Sequence, residues 1–445
     1  MIRHAIVPAY LLACLLLGGA SAAGFVANAV LQIAAIPLIG WSLWQLLQNG
    51  PAQAARMPLL LLGLLVAALV IQLIPLPPAI WTLLPGRAPV MEGYRLLGIP
   101  LPWLPLTLAP DQALASLLWL LPAFAAFLAT VVLGAFKSRW IAGVLVGVTI
   151  VSVALGALQV VGGAYLYTVT NYGVAVGFFA NGNHNATLLV VCIPFLAALQ
   201  AALRRKSSSR SASAIRLMTI SLYAVIIVGL LINASLAGLG LGVPVALTTW
   251  LLFGRKRPAI RHGLLAVIAL VSIATVATIA IGPFGNNLFG EQKENVAQSR
   301  QTSFSLTWQA AGEYFPIGSG VGSFQPVYRT QEPLDMVSGT YMNHAHNDWL
   351  EILLETGLCG MVLVAMFLVW WLRRARAILT AEEPDHFARA AVIAIAAILL
   401  HSMVDYPLRT AALSAVFAIC VALMSGVRPY VRPRKVETAA RHLSL

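Results

Sequence analysis

Apolar residues in this chain gather into long runs, at about 5–22, 25–47, 57–77, 112–135, 140–162, 183–203, 217–235, 237–254, 263–283, 347–371, 390–404 and 411–427. Each run approaches the ~20 residues that a helix needs to cross ~30 Å of hydrocarbon. The alternation of a barrel strand is absent, and lipid leaves only helices or closed barrels able to satisfy the backbone. The pattern predicts an all-α, polytopic integral membrane protein of about twelve transmembrane helices. Polar interruptions divide it into an N-terminal bundle of about nine spans (1–283), one long outside loop (284–346), C-terminal membrane helices (347–427) and a basic tail (428–445).

Composition agrees with this division. The chain is 60% hydrophobic and 10% charged, against roughly 25% charged in ordinary soluble domains. A net charge of +13 would suit a nucleic-acid partner, but its placement excludes that class. With the N-terminus inside, alternate loops and the tail hold 22 of the 28 Lys and Arg residues, the asymmetry of a cytoplasmic face. Both termini are then expected in the cytoplasm. The apolar N-terminal run resembles a signal peptide, but it is needed as the first span for the loops to alternate. Cys14, Cys192, Cys359 and Cys420 lie inside expected spans without paired spacing, so neither a disulfide framework nor a zinc site is indicated. The proline-rich outside segment 78–111 carries Trp81 and Trp103 and suits an interfacial lid or brace.

Candidate chemistry is confined to a few polar islands. Asn181, Asn183, His184 and Asn185 cluster at the mouth of one span, either as a helix cap or as a polar pocket wall. In the long outside loop, Ser303 to Phe315 has helical apolar spacing and suits a helix lying on the membrane surface. Pro316 stops it, and Gly318, Gly320 and Gly322 allow close backbone approach. This glycine series follows a helix rather than a strand, so it is not a nucleotide motif.

The richest stretch is NHAHNDWLEILLETGLCG, Asn343 to Gly360, where a wet segment runs into a membrane helix. His346 stands at that junction, and a histidine's ~6.5 reference pKa suits a general base. Asn343, His344 and Asn347 are placed to orient it or to bind sugar hydroxyls. Asn347 or Asp348 can cap the helix, with Asp348 and Glu351 as a capping pair. Asp348, Glu351 and Glu355 share one helical face. The two histidines of HAH stand two apart, a poor helical chelate, so no metal is expected. Gly357 and Gly360 suit close packing against a neighbouring helix. A last island, HSMVDYPLR, places His401 and Asp405 one turn apart with Arg409 just beyond. It is either a functional site or a structural ion pair.

The pattern His346, Asn347, nine residues, Gly357, two residues, Gly360 resembles the signature of bacterial O-antigen ligases and the related polysaccharide polymerases. GFFANGNHNA resembles that family's FxNRNH region, PIGSGVGSF its Pro-Gly-x-Gly-x-Gly segment, and HSMVDYPLR its C-terminal His-x-x-x-Asp element. The resemblance covers most of 177–410. It implies a GT-C-like, metal-independent, inverting glycosyltransferase of the bacterial inner membrane that needs no cofactor and works on the periplasmic side. Its donor would be an undecaprenyl-pyrophosphate-linked glycan, and its acceptor a hydroxyl of lipid A core, another glycan or a protein. His346 matches the family's catalytic histidine. Arg300, Arg409 and Arg329 would hold the pyrophosphate, with Asn347, Asn183 and His184 at the substrate. Asn343, His344, Asp348, Glu351, His401 and Asp405 would support them. Gly182 and Leu236 stand where the family often has arginines. Two other classes use the same islands: a transporter or flippase for lipid-linked glycans, with His184, His346, His401 and Asp405 along its path, and an inactive family member acting as a scaffold.

Overall fold

The computed structural model describes residues 2–21, 25–205, 208–254, 258–281, 300–334, 337, 342–383 and 385–430; of 258–262, 276, 278–281 and 300 it describes only the backbone. Helices make up most of the described residues. In chain order the helices are α1 (Ile6–Leu17), α2 (Val26–Asn49), α3 (Arg56–Ile71), α4 (Pro78–Trp81), α5 (Ala88–Leu96), α6 (Pro110–Val131), α7 (Ser138–Val160), α8 (Gly182–Arg204), α9 (Ser209–Asn233) and α10 (Leu236–Phe253). They continue with α11 (Pro258–Ile281), α12 (Arg300–Tyr314), α13 (Phe324–Gln331), α14 (Asp348–Thr380), α15 (His386–His401) and α16 (Ala411–Ser425). A two-residue antiparallel pairing, Pro75–Leu76 with Leu104–Pro105, closes the segment that carries α4 and α5.

Eight described helices are long and apolar enough to cross a membrane, not about twelve. They are α2, the stretch Gln53–Ile71, α6, α7, α8, α9, α10 and α14. The other apolar helices, Ile2–Leu17, Gly263–Thr275, His386–His401 and Ala411–Ser425, are shorter. Helix α16, at 15 residues, reaches only ~22 Å at 1.5 Å per residue, short of the hydrocarbon thickness. All of its residues except Phe417 are buried, packed against α1, α6 and α15. Its apolarity serves the protein core rather than lipid, and hydropathy alone does not separate the two.

Helix ends follow side-chain chemistry. Asn181, Ser235, Asn347, Asp385 and Thr410 each accept a backbone N–H of the helix they open, the usual role of a short polar side chain there. Helix α8 is the most buried of the spans, at 72%, and packs against α7, α9, α10 and α15. Its N-terminus is therefore delivered into the protein interior.

Helix α14 is two helices merged at Gly357, whose φ of 54° and ψ of −141° break the run. The loop after α12 packs into this break. Leu358 N–H donates to the Pro316 carbonyl at 2.8 Å and Gly320 N–H to the Glu355 carbonyl at 2.9 Å. A Cβ on Gly357 would collide with the Pro316 carbonyl oxygen. The close approach at this glycine is thus between a helix and a loop. In the segment before α14, α12 buries Ser303, Thr307 and Ala310 and exposes Trp308, and α13 follows it. The stretch 284–299 lies outside the described residues, as does most of the basic tail.

Candidate functional site

Three polar islands far apart in sequence meet at one place: the start of α8, the segment 343–355 and the turn 401–409. Helix α8 brings His184, which is 1% exposed, and Thr187, whose hydroxyl lies 2.7 Å from His401 Nδ1. The turn after α15 brings Asp405, fully buried. One oxygen of Asp405 faces two histidines, with His346 Nδ1 at 3.6 Å and His184 Nε2 at 3.9 Å. Both separations exceed a hydrogen bond, yet catalytic contacts are often long before substrate binds and tighten afterwards. The same oxygen accepts Tyr406 N–H at 2.8 Å. Among the described residues, neither ring nitrogen of His184 has a hydrogen-bond partner.

Tyr406 organises the imidazoles. Its ring lies 5.0 Å from that of His184, 4.7 Å from His344 and 4.9 Å from His346. Burial pushes its phenol up to about 12, so it remains protonated and acts as a spacer. Asn343 donates to its hydroxyl at 3.4 Å. His346 itself has φ 54°, a left-handed backbone uncommon for a residue with a side chain and often found at functional sites. Its side chain remains 17% exposed, so the ring borders both the interior and the solvent.

Beside this cluster lies an acidic face. Asp348, Glu351 and Glu355 project from α14 and are buried. Arg409 reaches all three, at 3.3, 3.2 and 3.8 Å. Burial alone would lower the Arg409 pKa, but the fields of Glu351, Glu355 and Asp348 outweigh it and raise it above its ordinary value. Each acid has further partners. Glu351 accepts Ala345 N–H on one oxygen and lies 2.9 Å from His344 Nδ1 on the other. Asp348 accepts the Ser402 hydroxyl and donates its own N–H to the Ser402 carbonyl. Glu355 accepts N–H groups from Gly322 and Phe324. A carboxylate therefore occupies the donors that the glycine-rich loop presents to it.

The site residues expected from sequence divide into two groups. His346, His344, Asn343, Asp348, Glu351, His184, His401, Asp405 and Arg409 come together. Asn347 is the cap of α14, accepting Leu350 N–H, and Asn183 accepts the Ser235 hydroxyl at 2.6 Å. Asn185 and Asn233 both donate to the Ala175 carbonyl, so the asparagine cluster ties α8 to the preceding loop and to the turn between α9 and α10. Arg329 is exposed at the end of α13. Arg300 opens α12, and its side chain lies outside the described residues. Gly182 abuts Val174 and Asn233. Tyr406, Thr187 and Ser402 were not anticipated, although Tyr406 sits inside a polar island already singled out. Among the described residues, no three His, Cys, Asp or Glu side chains are arranged to hold a metal ion.

No curated protein sequence matches the chain. A family model does match part of it, and the matched part includes His346 and the acidic face while leaving His184, Asp405 and Arg409 outside. Residues 220–365 are similar to the O-antigen ligase family, whose model matches that stretch.

Proposed function

We propose that the protein transfers a glycan from an undecaprenyl-pyrophosphate carrier to a hydroxyl acceptor at the periplasmic face of the bacterial inner membrane, with both termini cytoplasmic. His346 takes the acceptor's proton. The freed oxygen attacks the anomeric carbon, the carbon–oxygen bond to phosphate breaks with inversion, and the lipid pyrophosphate leaves. The observation that carries this reading is His346 in the stretch similar to the O-antigen ligase family, part-exposed, with Nδ1 turned 3.6 Å from buried Asp405. A buried carboxylate there fixes the ring's orientation and stabilises the imidazolium formed by proton transfer. Charge on the leaving group calls for cations, because stabilising developing charge is usually the largest catalytic contribution. Arg300 and Arg329 fill that role, as guanidinium suits phosphate. The acceptor is lipid A core, another glycan or a protein hydroxyl.

The test is transfer by purified protein in detergent, supplied with a lipid-linked oligosaccharide and an acceptor. His346→Ala is expected to remove the general-base contribution of about 10²–10⁴-fold while the protein still inserts into the membrane. A wild-type rate in that variant would end the proposal.

A further inference from the structure

Arg409 has a guanidinium suited to pyrophosphate but is committed elsewhere. It is the common tie between the two structures that flank His346. On the N-terminal side, Glu351 holds His344 and Ala345 through its two carboxylate oxygens. On the C-terminal side, Asp348 is held to Ser402 by a backbone and a side-chain bond. Arg409 reaches both of these acids, at 3.2 and 3.3 Å, and Glu355 at 3.8 Å. Without it, three buried carboxylates at i, i+3 and i+7 of one helix would face each other, and like charges on neighbouring turns repel. Between the two clamps lies the left-handed backbone of His346, a conformation that persists only when its surroundings over-determine it.

We propose that Arg409 is a positioning residue for His346, acting through Asp348, Glu351 and Glu355, rather than a ligand of the pyrophosphate. Neutralising it leaves uncompensated carboxylates, loosens both clamps and lets the His346 backbone relax. This inference rests on the glycan-transfer reading for its kinetic consequence, but not for its structural one.

The experiment uses the full-length protein in detergent with Arg409→Gln, Arg409→Lys and the double variant Arg409→Gln/Glu355→Gln. Glutamine at 355 keeps an oxygen for Gly322 and Phe324 N–H while removing one charge. Two readouts are taken: kcat and donor KM for transfer from a lipid-linked oligosaccharide, and the rate at which diethyl pyrocarbonate modifies His346, followed by peptide mass spectrometry without substrate. In Arg409→Gln, kcat is expected to fall about 100-fold with donor KM changed less than about threefold, the signature of a lost transition-state arrangement. His346 modification accelerates in the same variant. The double variant recovers about tenfold in kcat and slows modification, a coupling expected only if Arg409 acts through the acids. Arg409→Lys, which keeps the charge without the fork, falls between wild type and Arg409→Gln; it and the double variant carry the same comparison if Arg409→Gln does not fold. A donor KM raised about tenfold with kcat retained and modification unchanged would overturn the proposal and assign Arg409 to the pyrophosphate. If the wild type transfers nothing, the glycan-transfer reading falls. The modification rates then decide the clamp alone, an unchanged rate overturning it.

Discussion

His346 combines a φ of 54° with a ring directed at Asp405, so the placing of its ring depends on a backbone held away from its own preference. Two expectations belong at this scale. Asp405→Asn preserves size but removes the charge that steadies an imidazolium, and turnover is expected to fall by about 10²-fold or more with donor KM nearly unchanged; equal turnover would separate Asp405 from the reaction. Arg300→Ala is expected to raise donor KM, and a wild-type value would remove Arg300 from the site. The position of His346, between a polar loop and an apolar helix, was legible in the sequence. Tyr406 was not, because its role comes from three rings approaching it from elements up to 222 positions away in the chain, and no local pattern encodes that. Arg409 was legible as a nearby cation but not in its pairing, since a basic residue beside a membrane reads alike whether it meets phosphate or carboxylate.

At the level of elements, the break in α14 explains the glycine at position 357. Gly357 adopts a backbone that disfavours a side chain and leaves no room for one beside Pro316. Gly357→Ala is expected to lower stability by about 1–3 kcal/mol from backbone strain, with more from the steric clash. The check is thermal unfolding in detergent, where an unchanged midpoint would show that the loop yields. The loop itself carries Gly320, whose added Cβ would strike the Thr107 backbone; the glycine-rich segment is thus pinned between the 104–108 segment and α14. Sequence reading recognised that these glycines permit close approach but assigned the partner of Gly357 to another helix. Of the two caps expected for α14, Asn347 and Asp348, the structure has Asn347; the capping pair of Asp348 and Glu351 is not formed, because Glu351 accepts Ala345 N–H and Asp348 accepts the Ser402 hydroxyl.

For the whole molecule, the basic faces and the polar islands make a topological statement that labelling can check. A cysteine placed at Arg329, on the exposed end of α13, is expected to react with a membrane-impermeant maleimide added from the periplasmic side, while one at Arg205 is not. Reversed labelling would invert the topology and move the site to the cytoplasm. The count of spans shows where composition stops being informative. Helices α15 and α16 are apolar, yet short and largely enclosed by their neighbours, and an apolar side chain against protein is indistinguishable in sequence from one against lipid.

By itself the sequence determined that the chain is helical and crosses a membrane, since hydrocarbon demands long apolar runs with internally satisfied backbones. It also determined which islands are polar, because a charged group in an apolar chain stands out wherever it falls. Only the tertiary structure decided which islands meet. Thr187 touches His401 across 214 positions and Arg409 reaches Asp348 across 61. Such contacts follow from helix packing, a property of pairs of distant surfaces. For the same reason the tertiary structure alone decided that the cation beside the histidine faces three carboxylates.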